Sequence, residues 1–185
     1  MKIAIIKGFA ALCLLTACAS WRLPYELQYV PAAAETEPLT GVGDRADDPA
    51  IWVHPSDASL SLILGTNKQE GLYVYSLEGI ELQRLSVGRV NNVDVRGDLA
   101  VASNDEVNGL SWFQISHDAS GAVVEHLGDT PVQRIEPYGI CLGLAGSEPV
   151  AGVTYKDGAL ELWRGEFSSA TPTSTLERTV KLGSQ

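Results

Sequence analysis

Three groups of residues in this chain have types and spacings that could do chemistry. The first is Asp44-Arg45-Ala46-Asp47-Asp48-Pro49-Ala50, with Glu35 and Glu37 upstream. Adjacent carboxylates repel unless something neutralises them, and a hard cation such as calcium takes its oxygens from carboxylates and backbone carbonyls. The same residues suit a plain turn, because Asp-Asp-Pro starts turns without any metal. The second group is Gly88-Arg89-Val90-Asn91-Asn92-Val93-Asp94-Val95-Arg96. Its Asn-Asn pair reads as a loop that could show carbonyl oxygens to an ion, or as an ordinary turn. The third group is Lys68, Asp105 and Lys156, together with Tyr138. Lysines brought to one place would act as point charges for phosphate, whereas either lysine taken singly reads as a solvated turn residue.

The elements that must position these groups are short strands and turns. Ala50–Pro55 reads as a strand ended by a turn, followed by strands at Leu62–Asn67, Leu72–Leu77 and Leu82–Val87, rich in β-branched and aromatic residues. No window holds a helical apolar period long enough to compete. The stretch Leu62–Tyr75 is echoed by Leu99–Phe113 and again by Val150–Trp163. Each copy is an apolar strand, a small polar cap, a glycine turn and an alternating strand with aromatics. The repeat aligns Lys68, Asp105 and Lys156. Four-stranded units recurring about every 40 to 50 residues are the signature of propeller blades. The expected fold is all-β, with about three blades at residues 47–88, 89–135 and 136–182. A β-sandwich of similar hairpins is the competing architecture. Rings close with roughly four to eight blades, so the reading is of an incomplete ring that either belongs to a truncated product or is completed by another polypeptide.

Lys2 and Lys7, the apolar run Gly8–Leu15 and the small pair Thr16-Ala17 read as an export signal over residues 1–17. That run is shorter than the roughly 20 residues a spanning helix needs. Leu15-Thr16-Ala17-Cys18 resembles a bacterial lipobox, which makes Cys18 the expected lipidation site and membrane anchor. Ala19 after it points to the outer membrane or periplasmic side. Residues 18–43 read as a tether leading into a first strand, and residues 44–185 as the partial propeller domain. Cys141 is the cysteine left beyond Cys13 and Cys18 and is expected as a small buried hydrophobe on a strand. A formal net charge of −10 argues against a nucleic-acid partner, which requires a basic face.

Glu35-Thr36-Glu37-Pro38, Asp47–Pro55, Gly65-Thr66-Asn67-Lys68, Gly71–Tyr75 and Asn91-Asn92-Val93-Asp94, in that order along the chain, together resemble the N-terminal half of the β-propeller phytases. Those are secreted, six-bladed, calcium-dependent phosphatases of myo-inositol hexakisphosphate. The resemblance implies several calcium ions and a phytate or other inositol phosphate substrate. It implies a structural calcium site at Asp48 with the Pro49 and Val93 carbonyls, and a catalytic calcium cluster near Glu35, Asp47 and Tyr138. Lys68 and Lys156 would contact phosphate. The implied reaction is attack by a calcium-activated water, with no covalent phospho-enzyme. It also implies two alternative roles for a partial chain: a hydrolase impaired until the missing propeller half is supplied, or a non-catalytic calcium- and inositol-phosphate-binding unit that docks on a full-length phytase. The chain departs from the family pattern at Asp105, where a phosphate-binding arginine is usual, and at Asp157, where a glutamate is usual.

Overall fold

A computed structural model describes residues 29–169 and 171–181. The export signal, the lipobox and Cys18 lie outside the described residues. All the strands described lie in the unit that begins at Ala34. No described helix is long and apolar enough to cross a membrane.

Among the described residues, twelve strands form three four-stranded antiparallel sheets, each in chain order. The first sheet is β1 (Ala46–Trp52), β2 (Leu62–Asn67), β3 (Gly71–Tyr75) and β4 (Glu81–Leu85). The second is β5 (Val90–Arg96), β6 (Leu99–Asn104), β7 (Gly109–Asp118) and β8 (Gly121–Pro131). The third is β9 (Pro137–Ala145), β10 (Glu148–Tyr155), β11 (Ala159–Glu166) and β12 (Thr173–Lys181). β1 lies against β5, and β5 against β9, so each sheet's first strand borders that of the next. This is the arrangement of propeller blades, and the sheets are called blades 1 to 3 below.

The period of two along each strand builds the cores between blades. On β7, Phe113 enters a core with Leu64, Leu72 and Val74 of blade 1. Its neighbour Trp112 points the other way, into a core with Leu142, Val153 and Trp163 of blade 3. Both aromatics are fully buried, and each such side chain contributes about 1.5–3 kcal/mol. Trp112 Nε1 donates to Thr130 Oγ1 at 2.9 Å, so its polar atom is satisfied. Blade 2 is therefore apolar on both faces and covered on both.

Every first strand begins with the same irregularity. Ala46 and Pro49 pair with Asn67 and Gly65, Val90 and Val93 with Asn104 and Ala102, and Pro137 and Ile140 with Tyr155 and Val153. Each is a bulge in which the first strand carries one extra residue. The two clusters, each read as either a cation-facing loop or a plain turn, are thus strand residues. Asp47-Asp48 lies in the bulge of β1 and Asn91-Asn92 in that of β5, because a bulge absorbs the Pro49 and polar side chains that a regular ladder would reject. Cys141 also departs from expectation. It is on β9 but exposed, since it faces the side of blade 3 that no other described sheet covers.

Candidate functional site

The registers make Asp47, Asn91 and Tyr138 equivalent positions, one in each bulge. They likewise make Lys68, Asp105 and Lys156 the first loop residues after β2, β6 and β10. Backbone bonds repeat the equivalence: Lys68 N donates to the Arg45 carbonyl and Asp105 N to the Arg89 carbonyl, each at 2.8 Å. The bulges and these loops lie at one end of the three sheets, here the upper end.

A hydroxyl relay fixes the blades to one another there. Thr66 Oγ1 accepts from Asp48 N at 2.9 Å and donates to the Asn91 carbonyl of blade 2. One blade on, Ser103 Oγ accepts from Asn92 N at 3.2 Å and donates to the Tyr138 carbonyl of blade 3. These hydroxyls were not singled out as functional in the sequence, although the repeat aligns Gly-Thr-Asn, Ala-Ser-Asn and Val-Thr-Tyr. Asp48 adds a second link, with Val93 N donating to its Oδ2 at 3.1 Å. Asp48, Pro49 and Val93 are therefore near neighbours across the β1–β5 seam.

The lysines are not free. Lys68 Nζ is 2.9 Å from Asp44 Oδ2 and 3.4 Å from Asp47 Oδ1. The Asp44 carboxylate, with Asp47 behind it, holds the Lys68 ammonium above the ordinary lysine range. Lys156 Nζ is 3.4 Å from Glu136 Oε2 and 5.7 Å from the centre of the Tyr138 ring. Asp157 is engaged twice, by Arg134 Nη1 at 2.6 Å and by Ala159 N at 3.0 Å. Asp44, Glu136 and Arg134 thus set the charge around the lysines. Their importance comes from loop contacts that spacing does not reveal.

Glu35 is elsewhere. The Glu35 carbonyl packs against Gly79, and Glu37 N donates to the Gly79 carbonyl at 3.0 Å. Gly79 is in the β3–β4 turn, at the lower end of blade 1. The structure brings together Asp47, Asp48, Val93 and Lys68 on one side and Lys156 and Tyr138 on the other, with Asp105 between them in blade order. It does not bring Glu35 to them.

The upper end suits a hard cation in its donor chemistry. Its side-chain oxygens include those of Asp47, Asp48, Asn92 and Asp105. Two of them, Asn92 Oδ1 and Asp105 Oδ1, are buried without a hydrogen-bond partner, the condition a cation would relieve. Among the described residues, no three His, Cys, Asp or Glu side chains converge closely enough to hold a metal by themselves, so carbonyl or amide oxygens must contribute.

The lower end joins blades without chemistry of this kind. Trp52 Nε1 donates to Asp98 Oδ1 at 3.0 Å, and buried His54 bonds the Asp118 carbonyl through Nε2 at 3.1 Å. Nearer the upper end of blade 2, Ser111 Oγ donates to Asp129 Oδ1 at 2.6 Å and His126 Nε2 lies 2.9 Å from the same oxygen, so the carboxylate stands between serine and histidine. The serine therefore has no imidazole directly beside it, so the order of a serine–histidine–aspartate triad is not met.

A family model for phytase matches residues 5–111. The 3-phytase of Bacillus subtilis (strain 168) is 48% identical over 100 residues, an alignment that takes in 48% of this chain and 26% of that protein. The chain thus spans about a quarter of the length of this curated relative.

Proposed function

The chain belongs to the phytase family, and on that premise we propose that its upper end is part of a calcium-dependent phosphomonoester hydrolase site acting on myo-inositol hexakisphosphate. The carrying observation is that Lys68, Asp105 and Lys156 begin equivalent loops at one end of three adjoining sheets, beside the bulge that holds Asp47 and Asp48. A polyanionic ring substrate needs such a row of positions, of which Lys68 and Lys156 carry the charge to reach a phosphate each.

Hydrolysis joins a water oxygen to phosphorus and releases the inositol oxygen as a hydroxyl. The protein's task is to offset charge on the remaining phosphoryl oxygens. Calcium held by Asp47 and Asp48, with the Pro49 and Val93 carbonyls, would supply Lewis-acid neutralisation of those oxygens. With Asp47 committed to a cation, Lys68 keeps only Asp44 as a competitor and can turn to phosphate. Lys156 exchanges Glu136 for a second phosphate, and Tyr138 borders that position.

A second reading is a unit that binds calcium and inositol phosphate without turnover. Asp105 favours it, since a carboxylate stands where the resemblance calls for an arginine, and so does the pairing of both lysines with acids. Adding calcium and phytate to the purified chain, then measuring released phosphate and heat of binding, separates the two. Phosphate release supports the hydrolase. Binding without release supports the second reading. Neither release nor binding overturns both. Export, lipid attachment at Cys18 and outer-membrane placement belong to the same reading, and mass measurement of the mature N-terminus tests them.

A further inference from the structure

Among the loops at the upper end, the one in blade 2 breaks the repeat. Asp105–Asn108 is one residue longer than Lys68–Glu70 and Lys156–Gly158, which stand at the equivalent place in blades 1 and 3. The longer loop ends in Asn108, whose φ of +45° lies in the left-handed region. Asparagine tolerates that region better than most residues do. From there its side chain reaches out of its own loop to the segment that joins β8 to β9.

Three side-chain bonds hold that segment. Asn108 Nδ2 donates to the Val132 carbonyl at 3.2 Å and to the Arg134 carbonyl at 3.0 Å, and Asn108 Oδ1 accepts from Glu136 N at 3.1 Å. Three of the amide's four hydrogen-bonding places are thus spent on one stretch of chain. Glu136 itself stands at φ +58°, a conformation that strains a residue with a side chain and persists only where the surroundings impose it. Ile135 is 78% exposed and adds no anchor of its own. Both charged residues of the segment turn to the blade 3 loop. Arg134 Nη1 lies 2.6 Å from Asp157 Oδ2, and Glu136 Oε2 lies 3.4 Å from Lys156 Nζ. These four side chains line one cavity of about 610 Å³.

We propose that Asn108 is a positioning residue for Lys156: it fixes Glu136 against the ammonium, so that the carboxylate takes the place of an incoming phosphate and competes with it. The placing of Glu136 stands on these contacts alone, and the competition rests on the phosphate-binding reading of Lys156. Both members of the ion pair are more than half exposed, so the competition is worth a modest factor in affinity. Loss of the Asn108 side chain leaves the rest of the segment anchored. Val132 N still donates to the Asn108 carbonyl, and Arg134 Nε still bonds buried Glu161 at 2.9 Å.

The test is zero-length carbodiimide cross-linking of the full chain, which joins a carboxylate to an amine already beside it, read by peptide mass. Lys156–Glu136 and Lys68–Asp44 are both expected as links in the unaltered chain. Asn108→Gly suits the left-handed backbone and removes the side chain, so it should lose most of the first link and keep the second. Calorimetry with phytate should show binding about two- to fivefold tighter for Asn108→Gly and for Glu136→Gln, the worth of one exposed ion pair. The double variant should bind no tighter than Glu136→Gln, because Asn108 acts through Glu136. Circular dichroism checks the fold, and if Asn108→Gly does not fold, Glu136→Gln alone still decides whether the carboxylate competes. A Lys156–Glu136 link that is missing from the unaltered chain or survives Asn108→Gly would overturn the proposal. So would phytate affinity unchanged by Glu136→Gln, or tightened further by Asn108→Gly in the double variant. Phytate that binds no form of the chain would strike the phosphate reading instead, and loss of the link would still establish that Asn108 places Glu136.

Discussion

Asp48 joins blade 1 to blade 2 through its bond from Val93 N, and the same carboxylate is the proposed calcium ligand. The two roles separate by substitution. Asp48→Ala removes the acceptor and leaves the amide of Val93 unsatisfied, at a cost of about 1–3 kcal/mol even without metal. Asp48→Asn keeps an acceptor oxygen but loses the charge. Calcium is expected to raise the thermal midpoint of the unaltered chain and not of either variant, because a ligand that binds only the folded state stabilises it. A midpoint indifferent to calcium in the unaltered chain would remove the metal assignment. Asp105 tests the phosphate assignment. Its Oδ1 is buried and unpartnered, and a carboxylate there repels phosphate. Asp105→Arg should tighten phytate binding about tenfold, the effect of one charge-assisted hydrogen bond. Calorimetry showing equal or weaker affinity would count against the pocket.

At the scale of the element, the turn glycines differ in what they do. Gly71 and Gly109 open β3 and β7, and a Cβ on either would meet a backbone carbonyl, Leu85 O at 2.0 Å and Thr130 O at 2.4 Å. Gly109→Ala should therefore cost about 2–4 kcal/mol, because backbone in the neighbouring strand cannot yield as a side chain can. Urea unfolding measures it. The glycine of the third repeat is different. By register the equivalent of Gly71 and Gly109 is Ala159, while Gly158 belongs to the loop at φ +78°. The repeat was legible in sequence because alternating apolar strands and turn glycines are local signals. The expected blade limits at 47–88, 89–135 and 136–182 fall close to sheets spanning 46–85, 90–131 and 137–181. The bulges were not legible. Asp47-Asp48 and Asn91-Asn92 carry the composition of turns, and only pairing with β2 and β6 makes them strand. The alignment of Lys68, Asp105 and Lys156 could be read from the repeat. Their partners Asp44 and Glu136 could not, since those contacts depend on how separate loops fold back. The sequence also gave no sign that Glu35 would pack at the β3–β4 turn.

Over the whole molecule, packing is shared between two cores, and blade 2 belongs to both. Phe113 and Trp112, adjacent on β7, are the central side chains of the two. Blades 1 and 3 each offer one face to a core, so peeling either away exposes one core and leaves the other intact. Opening blade 2 exposes both. Native-state hydrogen exchange should register this difference, because amides open with the free energy of the unit that protects them. The amide protons of β6 and β7 are expected to be the slowest to reach deuterium and to report global unfolding. Those of β3 and β11 should exchange sooner, through partial openings in which an end sheet leaves and the remaining pair holds. Equal protection across the three sheets would mean that the chain opens as one cooperative unit.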